Sequence, residues 1–178
     1  MTEEPSGQIA YRVVRLKPHG AAWFVVGPRG LLRSGLPEPT VAAARRKATG
    51  EFPDAVEVAD LWPEFVRQLE DYFRGGRVTF KARLDWSRVT PFQRDVYRRL
   101  RRVPFGRTIT YGALATAAGH PGAARGVGMA MKRNPFPPVV PCHRVKEAGG
   151  GLGGFSASGG IEQKKWLLAM ESQSVSRH

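Results

Sequence analysis

The sequence predicts two domains: a small α/β unit over residues 1–88, an antiparallel sheet with helices, and a mainly α unit over 89–178 containing a helix-turn-helix. Three observations predict it. Strand-like runs broken by Pro and Gly fill the first half, strongly capped helical patterns fill the second, and the net charge divides between them. Residues 1–89 hold 14 basic and 11 acidic side chains, whereas 90–178 hold 14 basic and only 4 acidic. At 42% apolar and 10% aromatic residues, the 178-residue chain is rich enough in core formers to fold.

In the first half, 9–16 and 21–26 read as strands, separated by Pro18-His19-Gly20 and ended by Gly27-Pro28-Arg29-Gly30. A short helix is expected over 40–47. A stronger one covers 62–73, with Trp62, Phe65, Val66, Leu69, Tyr72 and Phe73 at helical spacing and Gly75-Gly76 behind it. Residues 78–84 alternate like a further strand. Nothing in this half gathers catalytic side chains, so it reads as a support.

The second half opens on a complete helix start: Thr90 as N-cap, Pro91 at the first position and Gln93 three residues after the cap. Phe92, Val96 and Leu100 then form the expected buried stripe, and Arg94, Arg98, Arg101 and Arg102 leave on other faces. Next come a helix over 111–118 capped by Thr110, a turn at Gly119-His120-Pro121-Gly122, and a helix over 123–133 that stops before Pro135. Two short helices joined by a glycine turn predict a helix-turn-helix. Gly126 and Gly128 weaken the second helix by up to about 1 kcal/mol each relative to Ala. Something therefore approaches its backbone closely, either another helix or a DNA groove. Small side chains suit the minor groove better than the major, and Arg125 in the first turn would reach into the base stack.

Charge and composition exclude several classes. The formal net charge is +13, the mark of a polyanionic partner. No apolar run approaches the roughly 20 residues of a membrane helix. The opening MTEEPSGQ is polar and acidic, unlike a signal or transit peptide, and a cytoplasmic setting, at the nucleoid in a bacterial or archaeal cell, is expected. Cys142 is the single cysteine, which leaves no internal disulfide and no multi-thiolate zinc site.

That lone thiol follows prolines 135, 137, 138 and 141, which are expected to keep the chain extended and stiff. His143 and Arg144 offer a base and a positive charge within two residues, the conditions that make a thiol nucleophilic. Adjacent side chains of an extended chain face opposite ways, so a bridging water or a turn beginning at Cys142 is needed to join thiol and base. An orienting acid completes such a relay; Glu171 and Glu162 are the candidates.

Pro141-Cys142-His143-Arg144-Val145 resembles the active-site motif of the alkylguanine–DNA alkyltransferases, the methylated-DNA–protein-cysteine methyltransferases. The resemblance runs over about 90–171, through the Thr90-Pro91-Phe92-Gln93 start, Tyr111-Gly112, the AARGVG helix, Asn134-Pro135 and the Lys165-Trp166-Leu167-Leu168 helix. It implies single-turnover transfer of an alkyl group from 6-O-alkylguanine in double-stranded DNA to Cys142, with no cofactor, by a monomer. It also implies roles for individual residues. His143, acting through water and oriented by Glu171, would deprotonate the thiol. Asn134 would tie the helix pair to the Cys142 segment, and Tyr111 would hydrogen-bond the extruded base and help protonate it as it leaves. Main-chain groups of Cys142, Val145 and Ser156 would read the base, with Phe155 and Arg144 beside it. Arg125 would fill the gap in the duplex, while Ala123, Ala124, Gly126, Gly128, Lys132 and Arg133 would line the DNA face. Phe155 stands where many relatives carry Tyr, and Ala157-Ser158 lengthen the glycine-rich loop. Some relatives bind zinc through an N-terminal thiolate site, which this chain cannot form.

Two other readings compete. A damage sensor using the same helices without catalysis would lack the nucleophile, and Cys142 is present. A regulator reading the major groove would carry long polar side chains over 123–133, where Ala, Gly and Met predominate. His19, His120 and His178 are expected to have no function, and the tail over 172–178 to be disordered.

Overall fold

A computed structural model describes residues 7–175. The chain divides into two compact units: one holds the described residues up to Trp86 together with Pro135–Pro138, the other Ser87–Asn134 and Val139 onward.

In the first unit, β1 (Ala10–Arg15), β2 (Ala21–Gly27), β3 (Gly30–Glu38) and β4 (Val56–Glu57) form a sheet in the order β3-β2-β1-β4. The expected antiparallel sheet is in fact mixed. Strands β1 to β3 are antiparallel, but β4 joins β1 in parallel, because α1 (Val41–Gly50) carries the chain back across the sheet before β4 begins. Strand β3 escapes sequence reading. Its Gly35 and Pro37 read as breakers, yet a Cβ on Gly35 would lie 2.2 Å from the Trp23 ring, so glycine is what lets this strand pass the indole. Residues 78–84 form no strand. That segment meets β3 through the Leu31–Leu84 bridge and the Leu31 N–H, which donates to the Arg83 carbonyl, and the Pro135 carbonyl takes the Ser34 N–H further along β3. Helix α1 packs Ala44 and Ala48 against Tyr11, Trp23 and Val25. From α2 (Pro63–Phe73), Phe65 meets Phe24 edge-on at 5.0 Å. Every residue of β2 is buried, as a strand covered on both faces must be.

The second unit is mainly helical: α3 (Pro91–Leu100), α4 (Tyr111–Ala117), α5 (Ala124–Lys132) and α6 (Gly160–Val175). The Thr90 side chain caps α3 and Gln93 returns the bond, completing the expected capping box. The buried stripe of α3 is Val96, Tyr97 and Leu100; Phe92 is only half-buried. Helices α4 and α5 are joined by a turn through Gly119 and Gly122, both at positive φ. The expected disorder over 172–178 is corrected as far as 175, where α6 is still helical; 176–178, like 1–6, lie outside the described residues. Among the described residues, no helix is long and apolar enough to cross a membrane.

Candidate active site

A two-stranded parallel pair sets the site. β5 (Ile109–Thr110) leads directly into Tyr111 at the start of α4, and β6 (Val145–Lys146) follows directly on the Cys142 segment, with Ile109 opposite Val145. Pairing these strands brings Tyr111 and Cys142 to one place, although 31 positions separate them.

Cys142 begins a 3-10 turn, Cys142–Arg144, held by Arg144 N–H donating to the Pro141 carbonyl at 2.9 Å. A turn beginning at Cys142, one of the two expected arrangements, is present. The preceding segment, however, is not extended. Residues 135–140 bend and turn, and the Asn134 amide donates to the Val140 carbonyl at 2.8 Å, folding the chain back on itself. Proline fixes φ but leaves ψ free, so a proline-rich stretch can turn as stiffly as it extends.

Behind the turn lies a buried charge relay. His143 donates from Nε2 to Glu171 Oε1 at 2.7 Å, and Glu171 also accepts from Arg144 Nε, from Arg144 Nη2 at 2.9 Å and from the Gly106 N–H at 2.9 Å. Burial alone would raise the Glu171 pKa. Hydrogen bonds and charge from His143 and Arg144 outweigh it and hold the group well below the usual carboxylate range. An ionised Glu171 only accepts, so the neutral His143 ring carries its hydrogen on Nε2 and keeps a lone pair on Nδ1. Burial lowers the His143 pKa against the pull of Glu171, which keeps the ring a neutral base. Glu162, the other candidate acid, pairs with Lys165 on the exposed side of α6 and takes no part.

In front of the turn, Cys142 lines a cavity of about 370 Å³ with Tyr111, Gly128, Met131, Lys132, Gly154, Phe155 and Ser156. The thiol is 8% exposed. Burial pushes its pKa up; a hydrogen bond from Asn134 and the Lys164 ammonium pull the other way. Tyr111 is shifted up by burial and then by the charges of Glu147 and Cys142, so its hydroxyl remains a proton donor.

Comparison with known proteins accords with this geometry. Residues 91–173 match the family model for the 6-O-methylguanine DNA methyltransferase DNA-binding domain. A methylated-DNA–protein-cysteine methyltransferase of Methanosarcina acetivorans is 43% identical over 68% of this chain and 76% of its own length. The chain belongs to the methylated-DNA–protein-cysteine methyltransferase family. The crystal structure of Mycobacterium tuberculosis O6-methylguanine methyltransferase superposes with a TM-score of 0.76 at 34% identity, covering 94% of each chain. A second mycobacterial structure, solved in complex with DNA, gives 0.74 at 33% identity, covering 93% of this chain and 94% of that one. Sequence matches to curated relatives span between 60% and 76% of their lengths.

Within this family site, the remaining expected residues are distributed unevenly. Arg125 is exposed in the first turn of α5, with Lys132 and Arg133 exposed at its other end; Ala123 and Ala124 are half-buried where it begins. Gly128 faces the cavity. The close approach at Gly126 is internal, since a Cβ there would sit 3.1 Å from the Phe92 ring of α3. Arg144 does not reach the cavity: its guanidinium is held by Glu171 and by the Val103 carbonyl at 2.7 Å. Val145 is also absent from the lining, because its N–H donates to the Cys142 carbonyl and its own carbonyl accepts from Lys164 Nζ at 2.6 Å. Ser156 donates to the Lys132 carbonyl at 2.9 Å, pinning the glycine-rich loop to the end of α5.

Sequence reasoning missed Lys164. It is 1% exposed and donates to the carbonyls of Val145 and Leu152, stapling the loop to β6 beneath the Phe155 ring. A lysine is normally read as solvent-facing, and nothing around it in the sequence signals burial. Gly153 of the glycine-rich loop carries a constraint that the sequence does not signal. It sits at φ +70, and a Cβ there would lie 2.7 Å from the Tyr111 hydroxyl.

Proposed function

We propose that this protein repairs alkylated DNA by direct reversal: it moves the alkyl group, methyl above all, from 6-O-alkylguanine in duplex DNA to Cys142, irreversibly and once per chain. The observation that carries this reading is the single thiol facing a cavity, backed by a buried His143–Glu171–Arg144 relay.

The thiol proton passes to the free lone pair on His143 Nδ1, directly or through one water, while Glu171, held in place by Arg144, stabilises the imidazolium that forms. Sulfur attacks the alkyl carbon, the S–C bond forms and the C–O bond breaks. The electron pair of that bond goes to guanine, which Tyr111 protonates. Arg144 acts through Glu171 rather than on the base. A thioether has no leaving group to return, so the chain is consumed.

A stacked base cannot present its oxygen for in-line attack, so the nucleotide is extruded at a cost on the order of a few kcal/mol. Helices α4 and α5 act as a helix-turn-helix in the minor groove, where small residues of α5 permit close approach and Arg125 fills the vacated stack. Ser156 and the neighbouring loop backbone receive the base edge, and Phe155 walls the alkyl group. The domain over 1–88 supports the one over 89–178, which binds DNA and carries the chemistry. The protein works as a monomer, without cofactor, in the cytoplasm where the genome lies.

Stoichiometry tests this reading. With a duplex containing 6-O-methylguanine in excess, repair plateaus at one lesion per polypeptide. A linear product curve through many turnovers, or no repair by folded protein, overturns it.

A further inference from the structure

Some arginines of the chain face a carboxylate and others do not. In the first, Arg29, Arg45 and Arg67 meet Asp85, Glu57 and Glu64 at 3.3, 3.1 and 2.5 Å. On α3 and the turn behind it, Arg94, Arg98 and Arg102 are exposed, and none has a carboxylate partner among the described residues. Asp95, the one acid between 90 and 146, is held by His120 at 3.1 Å and neutralises none of them.

Spacing puts Arg94 and Arg98 on one edge of α3, and Arg102 follows in the turn beyond its end. Successive helical residues turn by about 100°, so positions four apart stack nearly one above another. That edge lies roughly opposite Val96, Tyr97 and Leu100, the face that α3 buries. Tyr97 fixes the orientation through its hydroxyl, which donates to the Ala130 carbonyl of α5 at 2.7 Å. The arginine edge therefore looks away from α5. Like charges four residues apart destabilise a helix, an arrangement relieved when phosphates lie across it.

We propose that the Arg94–Arg98–Arg102 edge is a second DNA-binding surface, which holds the phosphate backbone of a duplex segment other than the one engaged by α5. The occupant is set by charge: three planar, permanently ionised groups in a row match successive phosphates. A protein already seated on DNA meets no denser source of them. The inference rests on the DNA-repair reading and extends it from one duplex to two.

The test uses the full chain carrying Arg94→Gln, Arg98→Gln and Arg102→Gln together, all exposed positions outside the Cys142 site. Two measurements are made against the wild type. The first is the salt dependence of binding to a long undamaged duplex, with log K plotted against log salt; the slope falls by about 0.9 for each phosphate no longer neutralised. The second is retention of a fluorescent duplex by protein held on an immobilised one; the wild type retains it and the triple variant does not. Reaction with free benzylated guanine stays unchanged in the variant. An unchanged slope, or equal retention of the second duplex by both proteins, overturns the inference. A reduced slope without retention by the wild type also overturns it, since the arginines then touch the same duplex. Absence of any lesion repair by the wild type would instead sink the underlying reading.

Discussion

His143 Nε2 and Glu171 Oε1 lie 2.7 Å apart, and neither side chain reaches solvent. They stand 28 positions apart in the chain, and α6 delivers this carboxylate together with the buried Lys164. Glu171→Gln leaves the buried Arg144 cation without its anion and lets His143 adopt the wrong tautomer. We expect alkyl transfer to slow by about 10²–10⁴-fold and stability to drop by about 3–5 kcal/mol. Rates on a lesion duplex and denaturant unfolding check both, and an unaltered rate in folded protein would remove Glu171 from the relay.

Acid should destabilise the fold in two stages. Burial sets the folded pKa of His143 below its ordinary 6.5. That of Glu171 is carried below 4.5 by its donors despite its burial. A group depressed in the folded state contributes stability fully above its unfolded pKa and loses it as pH falls through the folded value. Unfolding free energy is therefore expected to decline below pH 6.5 and more steeply below 4.5, with the lower limb flattened in Glu171→Gln. Alkyl transfer holds up below pH 6.5, because His143 is still neutral there. Stability that rises on acidification, or a rate already halved at pH 6.5, contradicts the relay as drawn.

These two residues also mark what a sequence makes legible. The capping box at Thr90, the helix starting at Tyr111 and the end of the helix before Pro135 are written locally, and they stand where the sequence places them. The Cys142-His143 pair is adjacent and visible. Glu171 is different: its burial depends on how α6 packs, which no local pattern encodes, and only family resemblance singled it out. Lys164 went unread for the same reason, since a lysine with two carbonyl partners looks in sequence like any surface lysine. Strand β3 was hidden because Gly35 makes room for Trp23, a contact between strands rather than along one.

Arg125 separates DNA engagement from chemistry. It is exposed at the start of α5, away from the Cys142 cavity lining. Arg125→Ala should slow repair of duplex DNA by about 10- to 100-fold, the effect of removing one stacking interaction worth about 1–3 kcal/mol, while reaction with free benzylated guanine is unchanged. Parallel losses on both substrates would show that Arg125 serves the fold or the pocket instead.

Gly153 should behave in the opposite way. Its φ of +70 disfavours any side chain, and a Cβ would press on the Tyr111 hydroxyl at 2.7 Å. Gly153→Ala is expected to cost about 1 kcal/mol or more in stability. It should also slow both the duplex and the free-base reactions, because the wall of the pocket itself moves. Thermal melts and paired rate measurements read this out; a duplex-only defect would place Gly153 on the DNA face.

Intact-mass spectrometry with peptide mapping, after incubation with a 6-O-methylguanine duplex, meets the account at its centre. One methyl group should appear per chain, located on the peptide bearing Cys142, and Cys142→Ser should gain none. A methyl group on any other residue, or a folded protein of unchanged mass beside a repaired lesion, would contradict it.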